Sequence, residues 1–344
     1  MSRLALKLGL LASLLVVHAA ASEPPVTAPG PVTIAVFRDV GLHFDPAAPA
    51  KFASQGITNE DNGRVARTLA VLPVSTGGGH ITARVTLKPV PKTEREVWDR
   101  IDRAGNVRLV VPGQPDLELM RFMTAYGGRT EFAADVTQLA PLLTGPHEFR
   151  AFVDTWVSPG WTLDFELRYE GGPAWPQPVF AQPVYYTESY NAQDMPRGAE
   201  VTVQIPPGLQ RVVMQYVTTG HCTDGIDADE FISKPNVIAV DDIVVARFHP
   251  WRDDCRQYRD RNPFTSHWTD GRWSSDYSRS GWCPGTRVEP VEFDLTDHLG
   301  PGTHRIRFLI DNVRPKDAQG AFGYWRLSAC VVGWKAMPDL WRND

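Results

Sequence analysis

The sequence predicts an all-β protein of the sandwich or jelly-roll type, on three observations. Short segments of alternating apolar and polar residues recur along the chain. Stretches with the 3.6-residue period of a helix are few. The 28 glycines and 29 prolines among 344 residues punctuate these segments at turn spacing. A strand that is apolar on one face needs a second layer to cover it, which favours two sheets packed face to face. A chain of this length divides into roughly two domains, each large enough to bury its own core without help from disulfides.

The elements follow in order. Arg3 and Lys7 precede the apolar run LGLLASLLVV, and Ala19 and Ala21 supply small residues at a cleavage point, so residues 1–21 read as a secretory signal peptide. The run is too short to span a bilayer, and no later segment is apolar enough for a membrane helix. The product is expected to be secreted or periplasmic, beginning near Ser22 with a Pro-rich lead over residues 22–31. In HITARVTLKPV, Ile81, Ala83, Val85 and Leu87 share one face. In TLDFELRYE, Leu163, Phe165, Leu167 and Tyr169 form the apolar face, with Asp164, Glu166 and Arg168 opposite. VTVQI, RVVMQYV, NVIAVDDIVVARF and HRIRFLI read the same way. Between these runs, EGGPAWPQPVFAQP concentrates Gly and Pro and marks a linker near residues 171–180, giving domains over 32–172 and 180–340.

A distant internal repeat supports two like domains. DVTQLAPLLTGPHEFRAFVD resembles DLTDHLGPGTHRIRFLID, aligning His147 with His304, Arg150 with Arg307 and Asp154 with Asp311. Chance similarity between two amphipathic strands is the competing account.

Three acids stand beside aromatic rings: Asp99 after Trp98, Asp154 two residues before Trp156, and Glu230 before Phe231. In EFRAFVDTW, Asp154 shares a face with Phe152 and Trp156. Rings with carboxylates suit sugar binding, and carboxylates in partly apolar surroundings suit acid–base chemistry. A strand-end acid in solvent explains each position equally simply, since charged residues normally sit at surfaces. The segment from Trp251 to Gly285 holds Trp251, Trp268, Trp273 and Trp282 with few strand signals, which marks a long structured loop, either a binding surface or a small satellite core.

Other chemistries find little support. The net charge of −5 comes without a basic stripe for nucleic acid. GxSxG, a phosphate loop and a dinucleotide fingerprint are missing. The four cysteines, Cys222, Cys255, Cys283 and Cys330, contain no CxxC pair and the histidines are scattered, so disulfides are favoured over a metal, with three connectivities open. The acidic loop around Glu230 does not have the spacing of a calcium-binding EF-hand.

Taken together, WDRIDRAGNVRLV, RFMTAYGG, DVTQLAPLLTG, FVDTWVSPG, TTGH with a following DEF, and RSGWCPG resemble the bacterial peptide-N-glycosidase F family, in the family's order. The resemblance runs from about Trp98 to the C-terminus. It implies two tandem jelly-roll domains packed side by side. It also implies an amidase that hydrolyses the bond between asparagine and N-acetylglucosamine in N-linked glycoproteins, releasing the glycan and leaving aspartate. By the same resemblance Asp99 takes the place of the principal catalytic aspartate, with Glu230 as a second acid acting through water. Asp154 stands where the family carries a glutamate. Arg100, Arg279, Trp156, Phe231, Trp282 and His221 fall at substrate-binding positions, and Cys255–Cys283 fits a family disulfide. Asp102 and Arg103 receive no role and are expected in solvent. A cysteine pair that the family carries before WDR is missing here.

The implied partners are N-glycosylated proteins or glycopeptides, recognised at the chitobiose core, with neither nucleic acid nor membrane involved. A monomer is expected. No cofactor is implied, because water serves as the nucleophile. The alternative is a non-catalytic, lectin-like jelly roll that uses the same rings and acids to hold a glycan.

Overall fold

The structure, a computed structural model, describes residues 30–74, 79–172, 176–224 and 228–335. The expected signal peptide, nearly all of the Pro-rich lead and the middle of the expected linker lie outside these residues.

Two antiparallel sandwiches are built on one plan. In the first, Val32–Leu42, Trp161–Glu170, His80–Pro89 and Thr130–Asp135 pair in that spatial order. The facing sheet runs Leu117–Met123, Ala104–Leu109, Gly145–Val153, Val65–Leu72, with the short strand Thr58–Glu60 at its edge. The second sandwich pairs Phe180–Tyr190, Gly323–Trp334, Arg211–Cys222 and Val291–Asp294. Opposite lie Ala199–Ile205, Gly302–Ile310, Asn236–Val240 and Ile243–Phe248. Numbering the eight main strands of each sandwich by chain order, the sheets are 1-8-3-6 and 2-7-4-5 both times. That is the jelly roll expected from the pattern. The internal repeat falls on the seventh strand in each, Gly145–Val153 and Gly302–Ile310.

Alternation does the local work. Along Trp161–Glu170, Trp161, Leu163, Phe165 and Leu167 are all buried while Asp164 and Glu166 point away from the core. Removing such side chains from water stabilises by about 1.5–3 kcal/mol each. The inward set on His80–Pro89 is Ile81, Ala83, Val85 and Leu87, as the sequence pattern requires.

The sandwiches are fastened to each other. Ala181, Val213, Cys330, Val332 and Trp334 of the second half belong to the same core cluster as the first. Arg287–Val288 leaves the long aromatic loop and pairs with Arg121 and Phe122, adding a strand to the first sandwich's sheet. Between the sandwiches runs a layer of ions, buried at Arg121, Glu118 and Arg326: Arg121 is paired with Glu118, and Arg326 bridges the partly exposed Asp154 and Glu188. Each charge there has an opposite partner, the condition under which buried ions are tolerated.

Candidate active site

The cleft at the junction of the sandwiches has a volume of about 890 Å³ and takes side chains from both. Its far wall is the loop that starts near Trp251. Cys255 and Cys283 are joined in a disulfide (S–S 1.99 Å) that closes this loop, in line with the family pairing, whereas Cys222 and Cys330 are not disulfide-bonded. The loop then crosses to the first sandwich, where Asn262 Oδ1 accepts from the Tyr126 amide at 2.9 Å and the Phe264 amide donates to Tyr126 O at 3.1 Å.

Gly220 and Gly281 allow the turn Arg279–Cys283 to lie flat on the strand Arg211–Cys222. A Cβ on Gly220 would stand 2.8 Å from Ser280 Cβ, and one on Gly281 (φ 84°) would stand 2.5 Å from Thr218 O. This contact seats Arg279, which is 1% exposed at its side chain. Its guanidinium lies between the rings of Phe231 (5.1 Å) and Trp282 (4.7 Å). It donates four hydrogen bonds, to Glu230 Oε1, Tyr277 O, Tyr126 Oη and Ser274 O, of the five a guanidinium can make. Arg279 is therefore a buried charge at the cleft with most of its donors engaged.

Asp102 stands across this charge from Glu230. Its Oδ2 lies 3.5 Å from Arg279 Nη2, is buried, and accepts no hydrogen bond. Burial raises the proton affinity of Asp102 against the opposing pull of Arg279 and Arg103. Burial likewise lifts Glu230 to about 7, with Arg279 lowering it and Asp102 adding to the rise. For Arg279, burial works against the charged form, but Tyr126, Asp102 and Glu230 outweigh it and hold the proton more firmly than usual. The Tyr126 phenol also keeps its proton, through burial first and the neighbouring Asp102 second. The result is a carboxyl–guanidinium–carboxyl group in which burial raises the proton affinity of both carboxyls and the shared guanidinium opposes it.

The structure places the two carboxyls of WDRIDR differently. Asp99 is 1% exposed and does not line the cleft. Its Oδ2 accepts from Thr155 Oγ1 at 2.6 Å, from Trp161 Nε1 at 3.1 Å and from Arg103 Nε at 3.0 Å, all within the first sandwich. Such a carboxylate has no room for substrate. It anchors the segment that carries Asp102, and Arg103 is its partner rather than a solvated charge. The segment carries the doublet Asp-Arg twice, three residues apart, with Trp98 before the first and Ile101 before the second. The usable signal was the strand that follows. Ala104–Leu109 begins directly after Arg103, which puts Asp102 at the sheet end and Asp99 back in the loop.

The other expected residues divide. Arg100 is exposed at the rim, its guanidinium 4.9 Å from the Phe264 ring centroid, and Trp156 is 53% exposed there, backed by Arg64 at 4.6 Å. Phe231 and Trp282 line the cleft beside Arg279, though Trp282 is only 3% exposed and its Nε1 donates to Gly220 O. Asp154 reaches the cleft, but its two oxygens are engaged by Arg64 (3.0 Å) and Arg326 (2.7 Å). His221 is buried between Trp282 and Tyr324, bonded to Thr219 Oγ1, and held neutral with a pKa near about 3, by burial and then by the charges of Arg121 and Arg279. Tyr126 was missed altogether, although RFMTAYGG had been singled out as a motif.

Two side-by-side jelly rolls with a pair of carboxyls flanking one guanidinium at their junction define a two-domain β-sandwich protein with a charged cleft. Comparison with known proteins supplies the family: residues 110–169 match the model "Peptide-N-glycosidase F, N terminal" and residues 189–332 match "Peptide-N-glycosidase F, C terminal", together more than half of the chain. The chain belongs to the peptide-N-glycosidase F family. A curated relative, peptide-N(4)-(N-acetyl-beta-D-glucosaminyl)asparagine amidase F of Elizabethkingia miricola, is 24% identical over 284 residues, 75% of this chain and 76% of that protein. Among solved structures, PNGF-II is 25% identical with a TM-score of 0.78, covering 90% of this chain and 66% of its own. PNGase F from Flavobacterium meningosepticum shares the fold at 18% identity, with a TM-score of 0.67 over 90% of this chain and 97% of its own.

Proposed function

We propose that this protein is a secreted peptide-N-glycosidase that hydrolyses the side-chain amide linking asparagine to the innermost N-acetylglucosamine of N-linked glycoproteins. Family membership supports the reaction class, and the cleft supplies residues suited to it. The observation that carries the reading is Asp102: a buried carboxyl with one oxygen free of hydrogen bonds, facing the cleft, with Glu230 on the other side of a shared guanidinium.

Amide hydrolysis needs a proton delivered to the leaving nitrogen and a water oriented at the carbonyl carbon. In this reading Glu230, ionised, accepts a proton from the attacking water. Asp102, neutral, gives its proton to the nitrogen that leaves with the sugar. The carbonyl oxygen gains charge within the field of Arg279, fixed in place and costing no reorganisation. Asparagine becomes aspartate and the glycan departs as a glycosylamine. Trp156 and Arg100, exposed at the rim, are placed to cover an apolar sugar face and to meet hydroxyls. Asp154, tied to Arg64 and Arg326, shapes the cleft wall.

The test is digestion of an N-glycopeptide followed by mass spectrometry. Free glycan together with the mass difference between asparagine and aspartate is the expected result. Recovery of intact glycopeptide bound to the protein would instead favour a glycan-binding jelly roll.

A further inference from the structure

Cys222 ends the strand Arg211–Cys222 and lines the cleft next to Glu230. Its Sγ lies 3.4 Å from Glu230 Oε2, with the thiol as donor, while Glu230 Oε1 accepts from Arg279 Nε at 3.2 Å. The Ser280 amide also donates to Glu230 O at 2.9 Å, which fixes the backbone. One carboxylate oxygen is thus held by a guanidinium that cannot move, and the other by a thiol. Each contact restricts the rotation that the other leaves free.

We propose that Cys222 is a positioning residue for Glu230, its S–H holding the second carboxylate oxygen so that the group faces the cleft in its ionised form. The proposal deepens the functional reading above and rests on it only for the effect on turnover; the contact between thiol and carboxylate stands independently. A hydrogen bond to the charged form favours that form, so the thiol works against the burial that raises Glu230. The coupling is mutual. Removing the thiol proton would set a thiolate against a carboxylate, so an ionised Glu230 disfavours attack by Cys222 on electrophiles. The protein offers a clean probe of this, because Cys255 and Cys283 are disulfide-bonded and Cys330 is buried, with its pKa pushed up to about 12.

Two measurements test the pairing. In kcat/KM against pH for a glycopeptide, Cys222→Ala is expected to move the acidic limb upward by about half to one unit, the worth of one modest hydrogen bond. Cys222→Ser, which keeps a donor, is expected to bring the limb back toward the native position. Coincident limbs for native protein and Cys222→Ala would overturn the proposal. Separately from turnover, the rate of Cys222 alkylation by iodoacetamide, read by peptide mass at mildly alkaline pH, is expected to rise about threefold or more in Glu230→Gln, since the neighbouring charge is gone. Equal rates in the two proteins would overturn it as well. Should the native protein release no glycan while the alkylation rates still differ, the functional reading fails and the Cys222–Glu230 pairing stands.

Discussion

Asp102 and Arg279 meet at 3.5 Å across the junction of two separately built sandwiches, one residue from the loop before Ala104–Leu109 and the other from the disulfide-closed loop of the second half. Their contact is what makes the cleft a site, because it brings a buried charge to a carboxyl that has no hydrogen-bond donor of its own on Oδ2.

Asp102 and Asp99 are expected to fail differently when changed to asparagine. Asp102→Asn removes the proton donor and should lower glycan release by about 10²-fold or more with little change in melting temperature. Asp99→Asn takes the charge from a carboxylate bonded to Thr155, Trp161 and Arg103, and should cost about 1–3 kcal/mol of stability. Thermal melts run beside activity assays separate the two. A larger activity loss in Asp99→Asn at intact stability would reverse the assignment.

Arg279→Lys is expected to lose about 10²-fold in kcat despite keeping the charge. A lysine ammonium cannot reach Glu230, Tyr126, Ser274 O and Tyr277 O together, as the planar fork does. Steady-state kinetics of the folded variant decides it.

The pH dependence of stability has a definite sign. Burial, opposed by Arg279, lifts Glu230 to about 7, and burial, opposed by Arg108, lifts Glu188 to about 7, from an ordinary value of 4.5. A carboxyl whose folded pKa is raised contributes stability below its unfolded pKa and loses it as pH climbs through the folded one. Melting temperature should therefore fall between about 4.5 and about 7 through these groups. Glu230→Gln should flatten part of that slope; an unchanged slope would count against a raised Glu230.

The Cys255–Cys283 bridge spans 28 residues, and replacing both cysteines by serine should cost about 3–4 kcal/mol by the chain-entropy account. Denaturant titration measures the loss. Because the bridged loop carries Arg279 and reaches Tyr126, activity should fall before the sandwiches melt, which limited heating with both readouts would show.

Trp156→Ala should raise KM more than it lowers kcat, since the ring is half exposed at the rim and carries no proton-transfer group. Glycopeptides truncated to one sugar would show how far along the glycan that ring acts.

The sandwich architecture was legible because alternation is enforced residue by residue: Leu163, Phe165 and Leu167 point inward for the same reason they alternate in sequence. The seventh-strand repeat was legible too, since both copies serve the same place in the strand order. The site was legible only in part. Glu230 and Arg279 stood out through their motifs, but Asp99 and Asp102 sit in near-identical Asp-Arg doublets. What separates them is the indole of Trp161, 62 residues downstream of Asp99, donating to one and not the other. Tyr126 depends on a chain crossing that no local pattern announces.

The strand Arg287–Val288 has a mechanical consequence. It belongs to the second half by sequence yet completes a sheet of the first, so the two halves cannot swing apart like the covers of a book without tearing a β-ladder. The gap between them is tied across at this edge, so under the proposed function a glycopeptide would enter a cleft that does not widen by hinging there.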